Sequence, residues 1–175
     1  MNYWFTADNH FNHDSIIDYC GRPLSTSQEM DELMIKNWNE RVKKSDMIYI
    51  LGDLCLGNPD KYLDRLIGQK HFIMGNHDRI NNETKKKFAS FQDIKLIKNP
   101  LIEGNKIFLC HYAMRTWHGS FKGHWHLYGH SHGLLPQLHN NAFDVGVDCW
   151  DYKPISIEEV CKHMIQLDTK LNIGD

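Results

Sequence analysis

Residues 47–53 read MIYILGD, and residues 71–78 read HFIMGNHD. Each stretch is a short, continuous apolar run that ends in a glycine followed by a polar residue. Such a run is typical of a strand that is buried on both faces, as in a parallel sheet. We therefore predict two neighbouring core strands, 47–51 and 71–74, whose carboxyl ends carry Asp53 and Asn76.

The segments on either side of these strands extend the pattern. Apolar residues recur at the helical period through 25–44, and Ser156-Ile-Glu-Glu159 is a capping box for a final helix. The predicted strands are 2–7, 47–51, 71–74, 94–97, 101–103, 106–110, 125–128 and 143–147, and the predicted helices are 14–19, 25–44, 59–67, 81–89 and 156–166. This order predicts one α/β domain over residues 1–175, a four-layer α-β-β-α sandwich with two mixed β-sheets and helices outside.

Composition and charge favour a cytoplasmic protein. The formal net charge is -2 at pH 7, so no global field attracts nucleic acid, and we predict no strong nucleic-acid patch. The amino-terminal residues lack the basic and apolar regions of a signal peptide, and we expect no membrane association. The five cysteines have no CxxC spacing, which favours reduced thiols. The sequence leaves the oligomeric state open.

Histidine is over-represented in one part of the chain. There are 12 histidines, and seven of them fall between residues 111 and 139: His111, His118, His124, His126, His130, His132 and His139. Imidazole is the commonest metal ligand and the commonest general acid or base in proteins. The cluster therefore predicts a metal centre or a catalytic site.

Ligand-type residues follow the ends of five predicted strands. They are Asp8 and His10, then Asp53, Asn76, His111, and finally His130 with His132. Oxygen and imidazole ligands without thiolate suit Mn, Fe, Zn, Co or Ni. Seven ligands are too many for one tetrahedral ion but suffice for two if one carboxylate is shared. Gly52, Gly75 and Gly129 precede three of the ligands and predict close backbone approach there.

These residues form ordered motifs: D-x-H at 8–10, GD at 52–53, GNHD at 75–78, His111, and GHSH at 129–132. Together the motifs resemble the calcineurin-like metallophosphoesterases, over about three quarters of the chain. The stretches TADNHFNHDSII (6–17) and GVDCWDYKPISIEEV (146–160) further resemble a small bacterial and phage branch of that family. Ala113 stands where the branch often has proline, a departure that affects only the shape of a loop.

The resemblance implies a role for each matching residue. Asp8, His10 and His132 would bind a first divalent transition-metal ion, and Asn76, His111 and His130 a second, with Asp53 bridging them. Manganese is the expected metal, with Fe, Zn, Ni or Co as alternatives. A hydroxide on the metals would attack phosphorus in line. His77 would stabilise the developing charge and protonate the leaving oxygen, and Asp78 would orient His77 by a hydrogen bond.

For other residues the sequence gives weaker evidence of a role in the site. The segment 113–124 is predicted to be a loop that reaches over the metals, where Arg115 would pair with phosphate and Trp117 or His118 would stack on a base. An exposed arginine and a packed tryptophan are the alternatives. His13 would touch the substrate or support a ligand. Asp148 is assigned to the surface or a turn.

The leading functional hypothesis is hydrolysis of the phosphodiester bond of a small substrate, such as a nucleotide-like molecule. A phosphomonoesterase is the alternative within the same chemistry. A different class is a non-catalytic binding or scaffold protein, because one retromer subunit resembles this family and works by protein contact. A structural zinc site would need Cys/His coordination, which the carboxylate-rich set disfavours.

Overall fold

The computed structural model describes residues 1–171, with side chains through Asp168. Its strands are β1 Tyr3–Thr6, β2 Met47–Leu51, β3 Gln69–Ile73, β4 Ser90–Gln92, β5 Ile94–Lys98, β6 Lys106–Cys110, β7 Trp125–Tyr128, β8 Ala142–Asp144 and β9 Ile155–Ser156. Its helices are α1 Ser15–Cys20, α2 Ser27–Arg41, α3 Asp60–Leu63, α4 Asn82–Lys85 and α5 Ile157–Leu171, with 3-10 turns at Ser120–Lys122 and Val147–Cys149. The predicted α/β class with two mixed sheets is confirmed.

The first sheet has the strand order β4-β3-β2-β1-β9. Strands β1 to β4 are parallel, and β9 pairs antiparallel with β1. Ile48 and Ile50 of β2 face the helices, whereas Tyr49 and Leu51 face the other sheet. The continuous apolar run at 47–51 therefore reflects a strand that is buried on both faces.

The second sheet has the strand order β5-β6-β7-β8, with β6, β7 and β8 parallel and β5 antiparallel to β6. Its inner face contributes Ile107, Leu109 and Leu127 to the core between the sheets, and α5 packs into the same core. On the outer face, Phe108 and Tyr128 form a smaller cluster with other buried residues.

Several predicted elements differ from the structure. Residues 101–103 form part of a turn and not a strand, because Asn99 binds both Leu101 and Asn105 and closes the β5–β6 connection. The short strands β4 and β9 were not predicted, and α3 and α4 are shorter than predicted. The capping box is confirmed: Glu159 N–H donates to Ser156 Oγ (3.2 Å), and Ser156 N–H donates to Glu159 Oε2 (2.8 Å). Among the described residues, no helix is long and apolar enough to cross a membrane.

Candidate metal centre

The predicted ligands lie on loops that leave the same edge of the two sheets. Strands β1, β2 and β3 run parallel, as do β6 and β7, so their carboxyl ends meet. Backbone hydrogen bonds join the loops: Asp8 N–H donates to Gly52 O (3.1 Å), and His10 N–H donates to Asp53 O (2.9 Å). The topology therefore gathers side chains that are far apart in sequence.

One group of ligands consists of Asp8, His10 and His132, which each offer a ligand atom within 4.8 Å of the others. Asp8 Oδ1 and His10 Nε2 are buried and have no hydrogen-bond partner among the described residues. Burial lowers the pKa of His10 to about 2, so its ring is neutral and has a free lone pair. A divalent cation would satisfy both unpartnered atoms.

A second group consists of Asp53, His111 and His130, whose ligand atoms also lie within 4.8 Å of one another. His111 Nδ1 donates to Leu51 O (2.7 Å), so Nε2 is the nitrogen of this ring that faces the ligand group. His111 Nε2 lies 2.9 Å from Asn76 Oδ1 and 3.5 Å from Asp53 Oδ2. One divalent cation would take these three atoms as ligands.

Asp53 belongs to the second group and also faces the first. Its Oδ2 is 3.6 Å from His10 Nε2 on one side and 3.5 Å from His111 Nε2 on the other. Burial, and repulsion from Asp144 and Asp53, raise the pKa of Asp8 well above its usual range. Carboxylates that repel one another in a buried site fit divalent cations, and this donor set fits transition metals.

The ligand residues adopt an uncommon backbone conformation. Left-handed φ angles cost a non-glycine residue of order 1–3 kcal/mol, and they persist where the surrounding structure imposes them. Five of the predicted ligands have such angles: Asp8 (56°), His10 (50°), Asp53 (53°), His130 (66°) and His132 (49°). The fold therefore holds these side chains in place at a cost in stability, as is expected of a binding site.

Gly52 and Gly75 allow two ligand loops to touch. A Cβ atom on Gly52, which has φ of 88°, would lie 2.5 Å from His111 Nδ1 and 2.7 Å from Gly75 Cα. A Cβ atom on Gly75 would collide with Asp53 Oδ1 and lie 2.6 Å from Asp53 N. The predicted close approach at these glycines is confirmed, and a Cβ on Gly129 would likewise lie 2.6 Å from Asp8 Oδ2.

We expect Gly75→Ala to weaken the binding of Mn²⁺ about 10–100-fold, the range seen when groups that support metal ligands are altered. The added methyl group displaces Asp53, the carboxylate between the two groups. Isothermal titration calorimetry with Mn²⁺ measures the effect. Gly104→Ala is the matched control, because a Cβ there meets no atom within 4 Å and the change alters backbone strain alone. Parental affinity in Gly75→Ala would contradict this account.

His77 and Asp78 do not form the predicted hydrogen-bonded pair. The Asp78 carboxylate accepts the N–H groups of Asp53 (2.9 Å), Leu54 (2.9 Å) and Gly75 (2.8 Å). Burial raises the pKa of Asp78, and these backbone hydrogen bonds offset part of the effect. The orienting role is therefore wrong: Asp78 is 1% exposed and holds the ligand loops together.

His77 itself is exposed at the centre of the site. Its backbone N–H donates to Asp53 Oδ1 (2.9 Å), and its ring centroid lies 5.5 Å from that of His10 and 6.4 Å from that of His13. His13 Nδ1 hydrogen-bonds His10 Nδ1 (3.3 Å), which turns His10 Nε2 toward the ligand group. Of the two roles predicted for His13, the structure favours support of a ligand.

The predicted substrate residues of the 113–124 loop lie in different environments. Trp117 is buried in the cluster on the outer face of the second sheet, and its Nε1–H donates to His124 O (2.9 Å). Of the two interpretations of Trp117, the structure shows the packed tryptophan, because packing against this sheet occupies the indole ring. His118 is exposed and stacks against His124 at 6.5 Å, and Arg115 is exposed and lines a cavity.

Three further residues of the site were missed at the level of sequence. Asp148 is not a surface acid: His132 Nδ1 donates to its Oδ2 (2.7 Å), and Arg22 Nε donates to its Oδ1 (2.8 Å). Burial alone would raise the pKa of Asp148, but these hydrogen bonds hold it below its usual range. The signal in the sequence that could have found Asp148 was its position within GVDCWDYKPISIEEV.

Asp144 supports the GHSH loop. Its carboxylate accepts Ser131 Oγ–H (2.6 Å) and Gly133 N–H (3.0 Å), and so orders the loop that carries His130 and His132.

Taken together, the fold and the site define an α/β protein with candidate metal ligands at its strand ends. The family model of the calcineurin-like phosphoesterases matches residues 1–119. The chain therefore belongs to the calcineurin-like phosphoesterase family, whose members use divalent metals. The predicted resemblance is confirmed.

The chain is similar to proteins from archaea, phages and bacteria. It is 33% identical to the uncharacterized protein MJ1445 of Methanocaldococcus jannaschii, over 91% of this chain and 89% of that protein. It is 28% identical to the Gene 66 protein of Mycobacterium phage L5, over 85% of this chain and 87% of that one. The crystal structure of a protein of unknown function, AQ665 of Aquifex aeolicus, superposes with a TM-score of 0.73 at 26% identity, covering 92% of this chain and 98% of that one. The architecture shared with that structure extends over 92% of this chain.

Proposed function

We propose that this protein hydrolyses a phosphodiester, with two divalent metal ions bound at the candidate centre. The observation that carries the proposal is the position of Asp53, whose Oδ2 lies 3.6 Å and 3.5 Å from the ring nitrogens of His10 and His111. A carboxylate shared by two ligand groups is the arrangement expected of a two-metal clamp. The oxygen and imidazole ligands suit Mn, Fe, Zn, Ni or Co, and manganese is the metal that we expect.

The positions of the side chains indicate the role of each in the proposed reaction. When bound, two such ions lower the pKa of water to provide a nucleophile and neutralise charge on the phosphoryl oxygens. Asp53 holds the two ligand groups at a fixed separation, and its other oxygen accepts the His77 backbone N–H (2.9 Å). The exposed His77 ring is free to donate a proton to the leaving oxygen.

Charge favours a diester over a monoester. A phosphomonoester carries a second negative charge at neutral pH, and arginine is the usual partner for it. Arg22, which contacts the D-x-H loop, has all five of its N–H groups engaged by protein atoms. That arginine is therefore unavailable to a dianionic phosphate group. His77 and His130 are exposed, so the centre is also open to a phosphorus atom with a substituent on each side.

A cavity lined by residues of the segments that follow His111 and His132 supports a small organic substituent on the substrate. It has a volume of about 210 Å³. Met114, Leu135 and Pro136 contribute apolar walls, and Arg115 contributes a cation. Apolar surface with one cationic group suits the planar base of a nucleotide-like molecule.

The function is tested by comparing bis-p-nitrophenyl phosphate with p-nitrophenyl phosphate, using Mn²⁺-loaded protein. We expect kcat/KM for the diester to exceed that for the monoester by at least about tenfold, because Arg22 is engaged by protein atoms and cannot match the monoester's second charge. Activity on the monoester alone would establish a phosphomonoesterase instead. Absence of hydrolysis of both, with both ions bound, would favour a scaffold protein on this fold.

A further inference from the structure

Arg22 is a buried arginine outside the predicted ligand set. The chain reverses at Gly21, the left-handed cap of α1, and the Arg22 side chain beyond it is 0% exposed. Its Nε and Nη2 donate to the two oxygens of Asp148 (2.8 Å each), and Nη2 also donates to Asp8 O (2.8 Å). Nη1 donates to Asn9 O (3.1 Å) and contacts Met30 Sδ (3.1 Å). These contacts use all five N–H groups of the guanidinium.

The contacts of Arg22 support all three ligands of one metal group. Two of its hydrogen bonds hold the carbonyls of Asp8 and Asn9 in the D-x-H loop, where Asp8 and His10 have left-handed φ angles. Its other hydrogen bonds hold Asp148, whose Oδ2 accepts the N–H of His132 Nδ1 (2.7 Å). That hydrogen bond places the lone pair of the His132 ring on Nε2.

We propose that Arg22 and Asp148 are positioning residues for the first ligand group, which consists of Asp8, His10 and His132. A planar guanidinium with five donors in a fixed geometry holds a strained loop and a histidine ring in register. Lysine carries the same charge but lacks that geometry. The inference rests on the two-ion part of the proposed function and does not depend on which ester is hydrolysed.

The second ligand group is held by other contacts. His111 is fixed by the Leu51 carbonyl (2.7 Å), and the loop that carries Asn76 is fixed by the Asp78 carboxylate at Gly75 N–H (2.8 Å). Neither contact involves Arg22 or Asp148. Loss of the Arg22–Asp148 pair is therefore expected to weaken one ion selectively, whereas a general loss of stability would weaken both.

The experiment titrates the full chain with Mn²⁺ and follows the binding of each ion by isothermal titration calorimetry. We expect Arg22→Lys and Asp148→Asn each to weaken one ion about 10–100-fold and to leave the other at parental affinity. Electron paramagnetic resonance at one equivalent and at two equivalents of Mn²⁺ gives an independent signature. The variants should lose the spin-coupled pair signal at concentrations where the parent shows it, and retain the signal of an isolated ion.

Arg41→Lys is the matched control. Arg41 also forms a bidentate pair with a carboxylate, that of Glu159, but neither residue hydrogen-bonds a ligand. It should leave both affinities unchanged. Parental binding of both ions by Asp148→Asn would overturn the proposal, even if Arg22→Lys fails to fold. Equal weakening of both ions in either variant would also overturn it. A parent protein that binds two ions but hydrolyses no ester would instead refute the proposed function and leave this inference intact.

Discussion

Asp53→Asn is expected to reduce hydrolysis about a thousandfold and to remove at least one of the two bound ions. Its Oδ2 lies between His10 Nε2 (3.6 Å) and His111 Nε2 (3.5 Å), so the substitution weakens both ligand groups at once. Stabilisation of the transition state by metal ions is worth several kcal/mol, and about 4 kcal/mol corresponds to a thousandfold change in rate. Atomic emission after gel filtration measures the number of ions, and bis-p-nitrophenyl phosphate reports the rate.

The same substitution should stabilise the metal-free protein. Asp53 and Asp8 are both buried, and repulsion from Asp53 contributes to the raised pKa of Asp8. Asparagine removes that repulsion, and its Oδ1 can still accept the His77 N–H. We expect the Tm without metal to rise by about 2–4 °C, equivalent to about 1 kcal/mol for a chain of this length. The rise in Tm that Mn²⁺ causes in the parent protein should shrink, since ligand binding stabilises the folded state by linkage.

Asp151→Asn is the control for this prediction, because its side chain is 90% exposed and the substitution changes the net charge by the same amount. It should leave the number of bound ions and the rate unchanged, and it should alter the free energy of unfolding by no more than about 0.5 kcal/mol. If Asp53→Asn retains two ions and the parental rate, Asp53 does not bridge the two ligand groups. A fall in the metal-free Tm would contradict the proposed repulsion between Asp53 and Asp8.

The sequence predicted the part of the fold that is governed by local pattern. The apolar runs at 47–51 and 71–74 determine two core strands because each is buried on both faces. The Ser156–Glu159 capping box is a local contact, and it was found for that reason. Strands β4 and β9 have only three and two residues, so their apolar pattern is too short to distinguish them from loops.

The ligands were predictable because they follow strand ends, and the order of strands in a parallel sheet brings those ends together. The supporting residues were not predictable in the same way. Asp148 is 126 residues from Arg22 in sequence, and their pairing depends on how α1 and the segment after β8 pack together. Asp78 was given the wrong partner because a side chain next to His77 in sequence can point either toward its neighbour or into the loop backbone. Only the three-dimensional path of the 52–54 loop decides that choice.

His77→Ala is expected to slow hydrolysis of esters with poor leaving groups about 10²–10⁴-fold, the usual contribution of a general acid. A leaving phenolate with a low pKa departs without protonation, whereas an alkoxide needs a proton as the bond breaks. The His77 ring is exposed, and its backbone is bound to Asp53 Oδ1 (2.9 Å), so removal of the ring leaves the bridging carboxylate in place. The number of bound ions should therefore be unchanged, in contrast to Asp53→Asn.

The diagnostic measurement is the dependence of kcat/KM on the leaving group, across a series of substituted phenyl diesters that share the other substituent. In the parent, proton donation by His77 makes this dependence shallow. In His77→Ala it should become steep, with the p-nitrophenyl ester slowed least and the unsubstituted phenyl ester slowed most. Imidazole added to the medium should restore part of the lost rate for the poorer leaving groups, because it can occupy the space of the missing ring and donate the same proton. Equal slowing of every ester would mean that His77 stabilises charge at the centre without donating a proton, and an unchanged rate for every ester would remove His77 from the reaction altogether.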